Sequence, residues 1–177
     1  MNIFCIFCTN NERKLPISQY ISTCPVGKNT GLTMERHRVR INKAGRNVHE
    51  VIYVVDLKGK VLQCATTNGT KIAQTGKLKN SGLGELFDFV FISEDVGAEK
   101  PAKEFFDKVL ADIEVKIGEF QLDEVLLVGD SLTSDIKGAN NAGVKSCWYN
   151  PDGVPCDKDV QIDYEIKDLH EVYDLLK

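Results

Sequence analysis

The stretch Leu126-Leu127-Val128-Gly129-Asp130-Ser131-Leu132-Thr133-Ser134-Asp135-Ile136-Lys137-Gly138-Ala139 sets the frame for the whole chain. Its apolar start, extended back to Glu124, reads as a strand buried on both faces. The run breaks at Gly129, and a helix is expected from Leu132 to Ala142, closed by Gly143. Strand, turn and helix then repeat on either side. Downstream, Val144 to Tyr149 and Tyr164 to Ile166 read as strands, and Leu169 to Leu176 as a last helix. Upstream, Pro101 opens a helix over Ala102 to Ile113, where its missing N–H has no intrahelical partner to lose. Before it come a strand at Phe89 to Ile92, a helix at Thr70 to Leu83, a strand at Val61 to Thr66 and a helix at His49 to Lys60. Continuous apolar strands separated by helices predict an α/β fold: a Rossmann-like parallel sheet with helices on both faces.

Composition agrees with one such domain. The chain has 177 residues, 42% of them hydrophobic and 27% charged. That suits a single core and is too short for two ordinary domains. Net charge is −4, so a globally basic nucleic-acid binder is not indicated. No apolar run approaches a bilayer span, and the short run at the start lacks a basic leader, so neither membrane insertion nor export is expected. A cytoplasmic location follows, with the six cysteines read as reduced thiols. Cys5, Cys8, Cys24 and His37 could be offered as a zinc site, but their spacing fits no standard module and buried thiols are the simpler reading. Charge is uneven. Residues 1–50 carry eight Lys/Arg against three Glu, a net of +5, so residues 51–177 sum to −9. The chain thus divides into an atypical basic segment, 1–50, and an α/β core, 51–177.

In open parallel sheets, ligands bind at the carboxyl ends of the strands. Thr67, Asn68 and Gly69 follow one strand there. Lys100, within Gly97-Ala98-Glu99-Lys100-Pro101, follows the next. Asp130 and Asp135 follow the third. A hydroxyl with backbone donors, a lysine and a carboxylate pair together suit a phosphate group with a hard cation. Mg²⁺ takes oxygen ligands and needs only one or two carboxylates besides water and phosphate. Singly each is ordinary loop or capping chemistry; either Asp130 or the nearby serines could simply cap the next helix.

In this order, from residue 61 to 177, the set resembles the haloacid dehalogenase (HAD) superfamily of phosphatases. Gly129-Asp130 through Asp135 is similar to its acidic metal motif. Val96 to Pro101 is similar to its lysine motif, and Cys64 to Gly69 to its threonine motif. Asn141 to Pro151 is similar to the branch that dephosphorylates pyrimidine nucleotides. The resemblance implies a Mg²⁺-dependent hydrolase of a small phosphorylated metabolite such as a nucleoside monophosphate. Thr67 would hydrogen-bond the phosphate, with Asn68 and Gly69 beside it. Lys100 would hold nucleophile and phosphoryl oxygen. Asp130 would ligate Mg²⁺, and Asp135 would reach it through water or orient Lys100.

One part of the family pattern is absent. Its nucleophile motif, Asp-x-Asp-x-Thr after a first apolar strand, does not occur: Asp56 is the only aspartate before Asp88. Val51 to Asp56 reads better as a helix ending on a surface aspartate. Cys8-Thr9-Asn10, after the apolar run Ile3 to Phe7, occupies the expected place with the wrong chemistry, since cysteine is a poor Mg²⁺ ligand. The HAD-like core is therefore read as incomplete at its N-terminal side, with turnover impaired. The alternative is an inactive HAD-like fragment that binds Mg²⁺ and phosphate, or a protein partner through the basic segment. A missing first strand would also bare a sheet edge and favour self-association.

Overall fold

The computed structural model describes the backbone of Phe4–Cys8, then Leu57 and residues 59–176. The helix read at His49 to Lys60, the carboxylate Asp56 and most of the basic segment lie outside the described residues. Strand β1 is Phe4–Cys8 and β2 is Leu62–Thr67. Helix α1, Lys71–Ser81, starts on the Thr70 side chain, which caps Ala73 N, and ends at Gly82. Gly82 has a φ of 72°, the left-handed geometry of a helix stop. Next come β3, Phe89–Ile92, the single-turn α2, Ser93–Val96, and α3, Lys103–Ile117. Then β4, Val125–Gly129, leads through a π-helical turn, Leu132–Ile136, into α4, Lys137–Ala142. Strands β5, Lys145–Tyr149, and β6, Tyr164–Ile166, and the short α5, Val172–Leu175, complete the chain.

The six strands form one sheet in the order β3-β2-β1-β4-β5-β6. Pairs β2/β3, β4/β5 and β5/β6 are parallel. The two alternating sets of side chains on these strands feed two cores. Cys64, Leu127 and Val125 face α3 and α4, packing on Phe105, Phe106, Val109, Ile113 and Ala139. Ala65, Leu126, Val128 and Cys147 face the other way, onto Leu78 of α1 and Val172 of α5. Helices thus cover both faces, which is why the central strand β4, buried throughout, carries no polar alternation. On α3 the buried residues Phe105, Phe106, Val109, Leu110 and Ile113 recur at helical spacing. Phe105 and Phe106 meet edge to face with centroids 5.2 Å apart. Burying such a side chain contributes roughly 1.5–3 kcal/mol. Among the described residues no helix is long and apolar enough to cross a membrane.

Strand β1 departs from the expected pattern. It lies in the middle of the sheet but runs antiparallel to both neighbours. Phe4 stands opposite Thr66, whereas Cys8 stands opposite Leu62 and Val125. Two sequence expectations are corrected here. Cys8 sits beside the amino ends of β2 and β4, so it is not at the strand end where Thr67 and Asp130 lie; Thr9 and Asn10 are outside the described residues. The place between β2 and β4 is also filled rather than bare, and β3 and β6 form the edges among the described residues. The physical reason is simple: an apolar run such as Phe-Cys-Ile-Phe-Cys buries equally well in either direction, so its composition carries no polarity.

Candidate functional site

The carboxyl ends of β2 and β4 point the same way on either side of β1, and one side chain bridges them. Lys100, in the loop between α2 and α3, extends its Nζ to 3.1 Å from the Thr66 carbonyl and 2.8 Å from Asp135 Oδ1. The side chains of Lys100 and Asp135 are only 2% and 0% exposed. Asp135 Oδ2 accepts from the backbone N–H of Ser131 at 3.1 Å. Burial pushes the Asp135 carboxyl above its ordinary range, while the charge and hydrogen bond of Lys100 and the Ser131 N–H oppose that rise. Taking both ions out of water is expensive, and a buried pair of this kind is often no better for stability than two apolar residues.

Local sequence explains how Asp135 reaches this position. Ser131 caps the turn by accepting from Ser134 N at 3.2 Å, and its carbonyl accepts from both Asp135 N and Ile136 N. The bond to Ile136 spans five residues, a π-helical step of the kind often found at functional sites. The turn brings the Asp135 side chain back against β4. A Cβ on Gly129 would lie 2.4 Å from Asp135 Cβ and 2.7 Å from its Cγ, so only glycine leaves room at that strand end. Asp130, the next residue, stays exposed. Its carbonyl accepts from Trp148 Nε1 at 3.0 Å, which fixes its backbone. Partial desolvation still raises its carboxyl, and the charge of Lys100 opposes this.

The threonine turn is organised around Lys100 as well. Thr67 ends β2 and is buried. Asn68 Oδ1 accepts from Lys100 N at 2.9 Å, and Asn68 Nδ2 donates to Lys100 O at 2.9 Å. The Asn68 carbonyl accepts from Gln74 Nε2 at 2.9 Å. Gly69 donates its N–H to Ser93 Oγ at 3.0 Å, and a Cβ there would meet Gln74 Nε2 at 2.5 Å. So Thr67, Lys100, Asp130 and Asp135 converge on one end of the sheet, while the Asn68 side chain and the Gly69 N–H are bonded to the protein itself. Glu94 and Asp95, after β3, are directed elsewhere: they hold the start of α1 through Lys71. Sequence reasoning did not single out Gln74, Ser93 or Asn141 as supports. Their types carry no signal alone, and only the Asn-Gly turn and the loop they brace bring them together.

The donor set fits a hard divalent cation that draws most of its ligands from water and substrate. Asp130 offers an accessible carboxylate, and Asp135 lies behind it with both oxygens already hydrogen-bonded. Among the described residues no cluster of three His, Cys, Asp or Glu could hold a metal by itself. Mg²⁺ takes oxygen ligands and keeps waters and substrate oxygens among them, so one accessible carboxylate with a second behind it is compatible with that ion.

Comparison with known proteins shows the family to which this chain is similar. Residues 28–149 match the family model described as haloacid dehalogenase-like hydrolase. The HAD-hydrolase YfnB of Bacillus subtilis (strain 168) is 43% identical over 110 residues, 62% of this chain and 45% of that protein. The pyrimidine 5'-nucleotidase PynA of Streptococcus pneumoniae is 41% identical over 112 residues, 63% of this chain and 46% of that one. The crystal structure of YfnB bound to magnesium superimposes with a TM-score of 0.65 at 38% identity, covering 71% of this chain and 54% of that chain. This chain therefore spans about half the length of the relatives it matches.

Proposed function

The chain belongs to the haloacid dehalogenase-like hydrolase family, and from that premise we propose that its strand-end site binds a phosphate monoester together with Mg²⁺. The substrate class we favour is a nucleoside monophosphate, because pyrimidine 5'-nucleotidases are among the similar proteins. The observation that supports the reading most is Lys100 Nζ, 3.1 Å from the Thr66 carbonyl and 2.8 Å from Asp135, buried at the ends of two parallel strands. A fixed positive charge in a place of low dielectric has little use in packing. It does suit the charge of a phosphoryl group, whose transfer is catalysed mainly by positioning and electrostatic stabilisation.

Each residue then has a role that its surroundings allow. Lys100 neutralises a phosphoryl oxygen and is kept in place by Asp135. Thr67 supplies a hydroxyl at the end of β2. Asp130 would hold Mg²⁺ directly, with Asp135 behind it. The ion, when bound, supplies charge neutralisation to the phosphate oxygens. The slot between Thr67 and Asp130 belongs to β1, whose start rather than its end faces the site. No carboxylate is placed there among the described residues, so we propose that turnover by this chain is lower by orders of magnitude than in a site with one. Binding is the activity the remaining groups support.

The test is hydrolysis of a chromogenic phosphate monoester with and without Mg²⁺, run beside Asp130→Asn. Absence of turnover above that variant supports a site that binds without hydrolysing. Turnover that requires both Mg²⁺ and Asp130 would overturn the impairment and demand a nucleophile among residues 9–56.

A further inference from the structure

Lysine has a long side chain that can lose up to about 2 kcal/mol of rotamer freedom when fixed. Lys100 is placed on a loop, not on a helix or strand, yet its ammonium must stay between two strand ends. The loop's main chain is tied down by two asparagines from different elements. Asn68, just past β2, makes a closed pair with Lys100: its Oδ1 accepts the Lys100 N–H and its Nδ2 donates to the Lys100 carbonyl, both at 2.9 Å. Asn141, in α4, donates from Nδ2 to the Pro101 carbonyl at 2.8 Å. Asn68 is itself held, through its carbonyl, by Gln74 Nε2 at 2.9 Å. Gly69 permits that approach, because a side chain there would occupy the position of the Gln74 amide.

We propose that Asn68 and Asn141 are positioning residues that act on the site through Lys100, rather than ligands of the phosphate. This deepens the reading above and rests on it. The chemistry singles out asparagine at position 68. A side chain must present one donor and one acceptor to the N–H and C=O of a single residue. Aspartate lacks the donor, threonine and serine offer one atom for both tasks, and glutamine is longer by a methylene. The paired geometry also fixes which amide atom is oxygen, since the flipped form would set donor against donor and acceptor against acceptor. The middle residue of Thr67-Asn68-Gly69 thus has its side chain committed to the lysine loop.

The experiment has two independent readouts on the full chain. The first is the ammonium signal of Lys100 in a proton–nitrogen correlation spectrum, assigned with Lys100→Arg; burial slows its exchange with water. Asn68→Ala and Asn68→Asp are expected to broaden or shift it, and Asn141→Ala to do so less. An unmoved signal in both Asn68 variants overturns the proposal, whether or not phosphate binds. The second is affinity for inorganic phosphate in the presence of Mg²⁺ by calorimetry. Asn68→Ala should weaken it about tenfold, the size of one lost hydrogen bond. In a Lys100→Arg background the same change should do little further, because the two residues act as one unit. Independent, multiplying losses would mean that Asn68 touches phosphate itself and would overturn the proposal. If wild type binds no phosphate, the reading of the site fails, while the ammonium signal still decides the role of Asn68.

Discussion

Asp135 and Asp163 sit at opposite ends of the same sheet, and each accepts hydrogen bonds from the adjoining chain, yet their carboxyls are displaced in opposite directions. Asp135 is at the carboxyl end, fully buried, with a lysine as its counter-charge and a raised pKa. Asp163 is at the amino end, just before β6. It accepts from Ser146 N at 2.8 Å, Ser146 Oγ at 2.9 Å and Gln161 Nε2 at 2.8 Å. Burial alone would raise its carboxyl, but these donors and the charge of Lys145 together hold it below the usual range. The amino end therefore stabilises its carboxylate near water, with neutral hydrogen-bond donors and the nearby charge of Lys145. The carboxyl end keeps two charges away from water, an arrangement that contributes little to stability and that the proposed function assigns to a charged ligand.

The largest way to sharpen that contrast is Lys100→Met. It leaves the Asp135 carboxylate buried without its counter-charge and should lower the unfolding free energy by about 3–5 kcal/mol. Urea denaturation checks this. Adding Asp135→Leu should recover part of the stability while phosphate binding stays lost, since two apolar residues remove the desolvation penalty along with the charge. Recovery of binding in the double variant would break the comparison.

A smaller effect is expected from Gly129→Ala. The new Cβ would overlap Asp135, so a loss of roughly 1–3 kcal/mol follows from overpacking. Gly84→Ala is its control. There the Cβ would make an ordinary contact, 3.5 Å from Leu78 Cβ, and stability should change by no more than about 0.5 kcal/mol. Thermal unfolding of the pair tells whether the strand end is tighter than a surface turn.

At the amino end the effect should be modest and tied to pH. A carboxyl whose folded pKa lies below its unfolded value of about 3.9 stabilises the fold above that pH. The contribution is lost as pH falls through the lower folded value. Asp163→Asn, which cannot ionise, should flatten this part of the stability profile below the unfolded value of about 3.9. An unchanged acid limb would mean that the donors of Ser146 and Gln161 do not favour the charged form. Smallest of all should be the exposed pair Lys103–Asp107 on α3. Lys103→Ala is expected to change stability by about 0.3–0.5 kcal/mol, and by less at high salt. It has the same charges as Lys100–Asp135 but remains in water.

Much of this was legible in the sequence, for reasons that particular residues make clear. Short apolar runs bounded by turn residues, such as Val125 to Val128 before Gly129, suit strands covered on both faces, so the layering and the strand ends followed from pattern. Gly82 and Gly143 gave helix ends because their φ of 72° and 74° favours glycine. The ordered threonine, lysine and aspartates marked the end of the sheet that carries them. Other features left no local trace. The direction of β1 depends on pairing with strands more than fifty residues away, and Phe-Cys-Ile-Phe-Cys is nearly palindromic in chemistry. The π-helical step after Asp130 places Asp135 against Gly129, a contact visible only once the turn is folded onto β4. The commitment of Asn68 to the Lys100 backbone needs two loops thirty-two residues apart, so spacing alone reads it as a turn residue beside phosphate.

Linked binding of phosphate and Mg²⁺ at the carboxyl end of the sheet is the central test. Calorimetric titration of inorganic phosphate should be run with and without Mg²⁺, on the wild-type chain and on Asp130→Asn. Mg²⁺ is expected to strengthen phosphate binding in the wild type and to have no such effect in Asp130→Asn. Phosphate affinity that is absent, or that ignores both Mg²⁺ and Asp130, would contradict it.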